Sequence, residues 1–148
     1  MNSKVVIFIC ICLSVAFNLF AGNCIDKETS TTVTIKGLYK APESVHNGNT
    51  TILKGAMDGE YVEVNVQGVI KDFVLINLKW DDCSQELIET DIVHRIDTVR
   101  NETVVIKTFM PEGIPSEKIK WKNTSGKEHE FIIHEDGKSK NLWKFHLE

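Results

Sequence analysis

The 148-residue chain lacks the sequence motifs that mark most enzymes and cofactor-binding proteins. It has no Gly-x-Ser-x-Gly nucleophile motif, no glycine-rich phosphate loop and no Cys-x-x-Cys pair. His129 and His134 lie five residues apart on one strand-like run, so their side chains would point to opposite faces and would not form a metal pair. We therefore expect a protein without catalytic activity, cofactor or metal.

Basic residues are too few for a nucleic-acid-binding protein. Lys and Arg number 17 against 21 Asp and Glu, which gives a formal net charge of −4, whereas binding to phosphates requires a basic patch. Four lysines do gather at Lys118, Lys120, Lys122 and Lys127, but such positions on a strand would line one solvated face. We expect no nucleic-acid partner.

Prolines are also scarce, and the chain does not have the composition of a disordered protein. It contains 3 prolines, 26% charged residues and 42% hydrophobic residues. This hydrophobic content is enough for a packed core in a chain of one-domain length.

The most hydrophobic segment is at the N terminus. Lys4 precedes an apolar run over residues 5–20, and the small residues Ala21 and Gly22 follow it. A positive charge, an apolar stretch and small residues in this order are typical of a cleaved secretory signal peptide. A retained membrane helix needs about 20 apolar residues, and polar positions such as Ser14 interrupt this run.

Two regions follow from this pattern. We predict that residues 1–22 are a signal peptide and that residues 23–148 form a single β domain. The mature protein would be secreted or otherwise extracytoplasmic, in the periplasm or on the cell surface if the host is a bacterium.

Two cysteines remain after the predicted cleavage. Cys24 and Cys83 form an even pair in an exported domain, which predicts one disulfide that closes a long loop. Asp81 and Asp82 precede Cys83, and their negative charge disfavours a reactive thiolate at that position. We therefore assign Cys83 a structural role.

A second interpretation of Cys24 stays open. Residues 19–23 loosely resemble the lipobox that precedes the lipidated cysteine of bacterial lipoproteins, although Asn23 stands where Gly or Ala is usual and Ala21 where Leu is usual. This resemblance implies that Cys24 is lipidated and anchors the protein to a membrane, and that Cys83 is unpaired. Without lipidation we expect no membrane contact.

Three Asn-x-Ser/Thr triplets are candidate glycosylation sites. They begin at Asn49, Asn101 and Asn123. In a eukaryotic secretory pathway each can carry a glycan, and a glycosylated asparagine should be exposed.

Polar and apolar residues alternate through most of the chain after residue 30, which is the pattern of half-buried strands. Eight strands are predicted, at Thr31–Leu38, Thr50–Leu53, Glu60–Val66, Phe73–Trp80, Glu102–Phe109, Lys118–Lys122, Glu130–His134 and Leu142–Leu147. We expect an all-β antiparallel sandwich, immunoglobulin-like or related, with a small β-barrel as the alternative.

One segment departs from this alternation. Residues 84–95 place Leu87, Ile88, Ile92 and Val93 at helical spacing, and Ser84 is a possible N-cap. We predict one short helix in this segment, with a further strand as the alternative.

These observations favour an exported β-sandwich that acts as a binding or interaction module. Its partner would be a protein or a surface ligand that the sequence does not identify. Two alternatives remain, a small-ligand carrier with a barrel cavity and a membrane-anchored surface lipoprotein.

Overall fold

The computed structural model describes residues 30–46, 48, 50–55, 59–109, 113–134 and 142–148, with the side chains of residues 46, 142 and 143 left out. The strands are β1 (Thr31–Leu38), β2 (Thr50–Lys54), β3 (Glu60–Gln67), β4 (Val69–Asp81), β5 (Glu86–Arg100), β6 (Thr103–Thr108), β7 (Glu117–Lys122), β8 (Glu128–Ile133) and β9 (Leu142–Leu147). A short 3-10 helix spans Glu43–His46. Within these ranges no helix is long and apolar enough to cross a membrane. The predicted signal peptide lies outside the described residues.

The strands form two sheets. The first has five strands in the order β2-β6-β3-β1-β9, and the second has four in the order β5-β4-β7-β8. Only β2 and β6 pair in parallel among the described strands. The predicted all-β sandwich is confirmed.

The barrel alternative is wrong. Both sheets end in edge strands, and no strand pairing in the described ranges joins one sheet to the other. The barrel cavity on which the ligand-carrier alternative depended is therefore not formed, because side chains from both sheets fill the space between them. Phe73, Ile119 and Trp121 in that space are fully buried.

The core follows from the alternation along each strand. Every second residue points between the sheets and is buried, as at Val33 and Ile35 of β1 or Val62 and Val64 of β3. Strand β4 lies between β5 and β7 in its sheet and is buried on both faces between residues 73 and 76. The sequence predicts such a central strand from its uninterrupted apolar run.

The helix predicted in residues 84–95 is wrong, since this segment belongs to β5. Two bulges explain the error. Ile76 pairs with Ile92 and Leu78 with Glu89, so β5 carries an extra residue at each register shift. Positions 87, 89, 92 and 95 therefore share one face of the strand, and a spacing of three along a bulged strand resembles a helical pattern.

Candidate functional site

A two-stranded arm extends from the four-stranded sheet. Strands β4 and β5 have 13 and 15 residues, but β7 pairs with β4 only between Lys71 and Asn77. Residues 78–91 consequently pair only with each other among the described strands. At about 3.3 Å per residue this hairpin reaches roughly 15 Å beyond the last β4–β7 pair. We call residues 78–91 the arm.

The tip of the arm is a hydrogen-bonded turn. The backbone N–H of Gln85 donates to the carbonyl of Asp81 at 2.8 Å, and that of Ser84 donates to the Asp81 carboxylate at 3.0 Å. Gln85 takes a positive φ of 57°, and its side-chain amide donates to the carbonyl of Asp82 at 2.6 Å. The hydrogen bonds from Ser84 lower the pKa of Asp81, so this carboxyl carries its charge at neutral pH.

The base of the arm is tied to both sheets. The backbone N–H of Leu78 donates to the carbonyl of Ser116 at 2.7 Å, which joins the arm to the segment before β7. The Nε2 atom of His94 lies 3.0 Å from the carbonyl of Lys54 in the other sheet. These contacts hold the part of the sandwich from which the arm extends.

An ion-pair cluster holds the outer side of the arm. The carboxylate of Glu89 lies 2.5 Å from the Nζ of Lys118 and 2.6 Å from that of Lys120. Hydrogen bonds to these lysines lower the pKa of Glu89. Burial opposes the charge of Lys118, but its bonds to Glu89 and Glu130 outweigh burial and raise its pKa. The arm is thus fastened to β7 by charges as well as by the β ladder.

The lysines of this cluster were predicted from the sequence to line one solvated face of a strand, and this prediction is only partly correct. Lys118, Lys120 and Lys122 do share one face of β7, as predicted from their spacing. The face is not simply solvated, because Lys118 is only 9% exposed and Lys122 pairs with Asp72 at 2.9 Å. Lys127 lies in the turn beyond β7.

The exposed surface of the arm carries acidic and apolar side chains. Residues 78–91 contain five acidic residues and one lysine, a net charge of −4. Ile88 is 41% exposed and Ile92, at the base, is 53% exposed. Trp80 and Leu87 are cross-strand partners on the outer side of the hairpin and are half-buried. Such a surface suits contact with another macromolecule better than it suits burial of a small ligand.

The two predicted cysteine partners are placed differently. Cys83 is exposed at the tip of the arm. Cys24 lies outside the described residues, so no described contact tests its predicted disulfide or its alternative lipidation.

The predicted glycosylation sites also differ from one another. Asn49 lies outside the described residues. Asn101 is exposed, and its side-chain oxygen accepts a hydrogen bond from the N–H of Gly68 at 2.7 Å. Asn123 is only 2% exposed, and its amide nitrogen donates to the carbonyl of Glu148 at 2.6 Å. Of the two described sites, Asn101 alone meets the requirement for exposure.

Sequence reasoning missed a buried acid. Glu117 is fully buried at the start of β7, where its carboxylate accepts a hydrogen bond from the Thr108 hydroxyl and packs against the backbone of Gly55. The sequence did contain a signal for this burial. Glu117 precedes Ile119 by two residues and Trp121 by four, so all three side chains lie on one face of the strand.

The described residues offer neither a metal site nor an exposed aromatic platform at Trp121. In the part of the chain that the structure describes, no group of three or more His, Cys, Asp or Glu side chains is placed to hold a metal ion. Trp121 belongs to the core, where its ring stacks on His129 with centroids 5.8 Å apart. The arm is the most prominent exposed feature that remains.

Comparisons of the chain with protein-family models, with curated proteins and with solved structures gave no match in any of the three.

Proposed function

We propose that this chain is an exported β-sandwich interaction module, which acts by binding rather than by catalysis, and that the arm is its binding surface. Export rests on the signal-peptide pattern of residues 1–22. The binding role rests on one observation, the extension of a paired, acidic hairpin beyond the sheet that supports it. Exposure of the apolar surface of such a hairpin to water costs free energy. A partner that covers this surface would offset that cost.

The charge of the arm indicates the chemistry of the partner. Lys118 and Lys120 neutralise Glu89, so the charge at the tip comes from Asp81, Asp82 and Glu86. Complementary charge speeds encounter and selects the orientation of binding. A protein with lysine or arginine side chains next to apolar ones would match this surface.

The free edge of β5 is a less suitable contact than the faces and tip of the arm. An added strand needs a regular row of backbone donors and acceptors. Strand β5 carries an extra residue at both of its register shifts, and bulges and charges on an edge strand oppose strand addition. Contact through side chains, with Glu86, Ile88 and Asp91 exposed on β5, is therefore the proposed mode.

A lysine-rich peptide is a direct probe of this proposal. We expect a fluorescently labelled peptide of alternating lysine and valine residues to bind the exported protein. Its glutamate-containing counterpart should not bind. Amide shifts in the NMR spectrum should change mainly in residues 78–91.

Neutral variants locate the binding surface. The combined substitutions Asp82→Asn, Glu86→Gln and Asp91→Asn should weaken peptide binding at least about tenfold, because they remove most of the exposed charge of the arm. Asp97→Asn is the matched control, since Asp97 is exposed on the same strand outside the arm. Equal losses in both proteins, or shift changes elsewhere in the sandwich, would refute the proposal.

A further inference from the structure

Two strand edges lie on the same side of the sandwich. Among the described strands, β8 pairs only with β7 and β9 only with β1, and each is the last strand of its sheet. The ring of Phe145 on β9 packs against the rings of Trp121 and Phe131, with centroids 5.3 and 6.4 Å apart. The edge of one sheet therefore lies over the edge of the other.

The two edge strands are regular and run in opposite directions. Each has six residues, and neither ladder contains a register shift. The amide of Asn123, next to the end of β7, donates to the carbonyl of Glu148, just after β9. Since β8 begins beside the end of β7, β9 ends where β8 begins. Such edges can accept a further antiparallel strand, unlike the bulged β5.

The backbone groups on the edge of β8 belong to residues whose side chains point away from the core. The N–H of Asn123 donates to the carbonyl of Lys127, and hydrogen-bonded pairs alternate with non-bonded pairs along an antiparallel ladder. Continued along β8 in the register given, this alternation directs the backbone donors and acceptors of residues 128, 130 and 132 to the edge.

Strand β9 presents its backbone in the same way. The N–H of Val66 donates to the carbonyl of Glu102, so the even-numbered residues of β3 direct their backbone groups to β6. The same alternation, carried across β1, directs the groups of residues 142, 144 and 146 to the edge of β9. The two edges are therefore matched in length, direction and backbone pattern.

The middle residues of the two edges carry opposite charges. Glu130 on β8 lies 3.1 Å from the Nζ of Lys118, and its side chain is still 55% exposed. Lys144 on β9 is exposed and lies opposite Thr34 of β1. On the outer face of the four-stranded sheet, a row of lysines on β7 is followed by a row of glutamates on β8. A strand with an outward lysine would continue this alternation of charge.

We propose that a second copy of this chain docks on these edges, with β8 of each copy paired to β9 of the other. The two-fold axis runs parallel to the strands, between the two edges, so both ladders form at once. Rotation about this axis leaves the position along the strands unchanged. Phe145 of one copy therefore comes level with residues 129–131 of the other, which places Lys144 beside Glu130.

Charge favours this pairing over the pairing of like edges. If β8 paired with β8, Glu130 would lie near its own counterpart, and Lys144 would do the same if β9 paired with β9. Opposite charges across two strands stabilise a sheet, and like charges destabilise it. A single peptide strand could cover one edge, whereas a second copy supplies both complementary strands at the spacing of the two sheets.

The dimer would carry both arms at the same end, because the rotation axis runs parallel to the strands. Two arms that contact one repetitive partner would bind it with a higher apparent affinity than one arm does. This consequence rests on the proposed function, whereas the dimer itself does not.

Charge reversal tests the dimer. In sedimentation velocity with a reducing agent, the exported protein should show a monomer–dimer equilibrium without larger species, because the contact closes on itself. Glu130→Lys and Lys144→Glu should each raise the dimer dissociation constant at least about tenfold, since each places like charges opposite one another twice in the dimer. Combined in one chain, the two substitutions exchange the charges and should restore dimerisation.

A matched control and the contrary outcomes complete the test. Asp97→Lys reverses an exposed charge on β5, at the opposite edge of the four-stranded sheet, and should dimerise as the wild type does. A wild-type protein that stays monomeric, larger assemblies, or a combined variant as weak as the single ones would each refute the dimer. Far-UV circular dichroism and the thermal midpoint check that every variant is folded.

The dimer and the proposed function fail separately. Sedimentation is measured without the lysine-rich peptide, and peptide binding needs only one arm. A monomeric protein that binds the peptide would refute the dimer alone. A dimeric protein that does not bind the peptide would refute the role of the arm alone.

Discussion

Thr31 and Val69 are hydrogen-bonded to each other at the end of the sandwich opposite the arm. The Thr31 hydroxyl donates to the carbonyl of Val69 at 3.3 Å and lies 3.2 Å from the Val69 nitrogen. The start of β1 is thereby fixed beside the start of β4. From Val69, β4 runs for 13 residues to Asp81.

This relationship bears on the predicted disulfide between Cys24 and Cys83. Strand β4 covers roughly 40 Å between Val69 and Asp81 at about 3.3 Å per residue. Cys24 precedes Thr31 by seven residues, which span at most about 25 Å when fully extended. Since the two Cα atoms of a disulfide lie within about 7 Å of each other, we expect no disulfide within one folded chain.

Intact mass under non-reducing conditions checks this expectation. The mature monomer should not show the loss of two hydrogen atoms, and a maleimide should label Cys83 in the native protein. A Cys83→Ser variant is the control for labelling. Detection of a peptide pair that links Cys24 to Cys83 of the same chain would show that β1 does not hold its position beside β4.

Gly55 lies against the buried carboxylate of Glu117, and we expect Gly55→Ala to destabilise the protein. A Cβ atom at residue 55 would overlap both carboxylate oxygens, and overpacking of this kind costs about 1–3 kcal/mol. Gly59→Ala is the matched control, because its nearest atom would be 3.8 Å away. Chemical denaturation of the two variants gives the comparison.

A double-mutant cycle identifies the cause of that loss. Glu117→Ala should make the further substitution Gly55→Ala nearly neutral, because the overlapping oxygens are gone. A full Gly55→Ala penalty in the Glu117→Ala protein would contradict the contact.

His129 should make the stability of the fold depend on pH. Burial against Trp121 is the main cause that lowers the pKa of His129 below its ordinary 6.5, and Lys127 adds to it. The unfolded chain therefore binds a proton at a higher pH than the folded chain does. The free energy of unfolding should be constant above pH 6.5 and should fall below it, by at most about 1.4 kcal/mol per pH unit.

Denaturation at a series of pH values between about 5 and 8 measures this effect. His129→Gln should flatten the curve in this window, because glutamine does not titrate. His146→Gln, at an exposed position on β9, is the control and should leave the slope unchanged. A slope that survives His129→Gln would assign the dependence to another group.

Asn123 should be important for folding. Besides its bond to Glu148, its side-chain oxygen accepts hydrogen bonds from the Ser125 hydroxyl and the Lys127 N–H, each at 2.8 Å. Asn123→Ala removes all three hydrogen bonds of this buried side chain and should cost about 2–3 kcal/mol. Thr124→Ala, next to it and exposed, should change stability by less than about 0.5 kcal/mol.

Thermal or chemical denaturation gives both values. Peptide mapping of protein secreted by a eukaryotic host adds a second test, since a glycan at Asn101 is compatible with the fold. A glycan on Asn123 of the folded protein would contradict the burial of that side chain.

The eight predicted strands are all present because alternation is a local property. Val62, Val64 and Val66 define the buried face of β3 without reference to any other strand. The same local rule fails on β5, where each bulge shifts the alternation by one residue. A bulge depends on the partner strand, and the sequence of β5 alone does not reveal it.

Local alternation thus determined that this chain is a β protein and which side chains enter its core, because a strand exposes successive residues on opposite faces. The tertiary structure alone decided where β7 stops pairing with β4, and hence that residues 78–91 extend as an arm. It also brought Glu117 to Gly55 and placed Cys83 at the exposed tip of the arm. The register of a strand and its position within the sheet depend on contacts between segments that are distant in sequence. Neither can therefore be predicted from one segment alone.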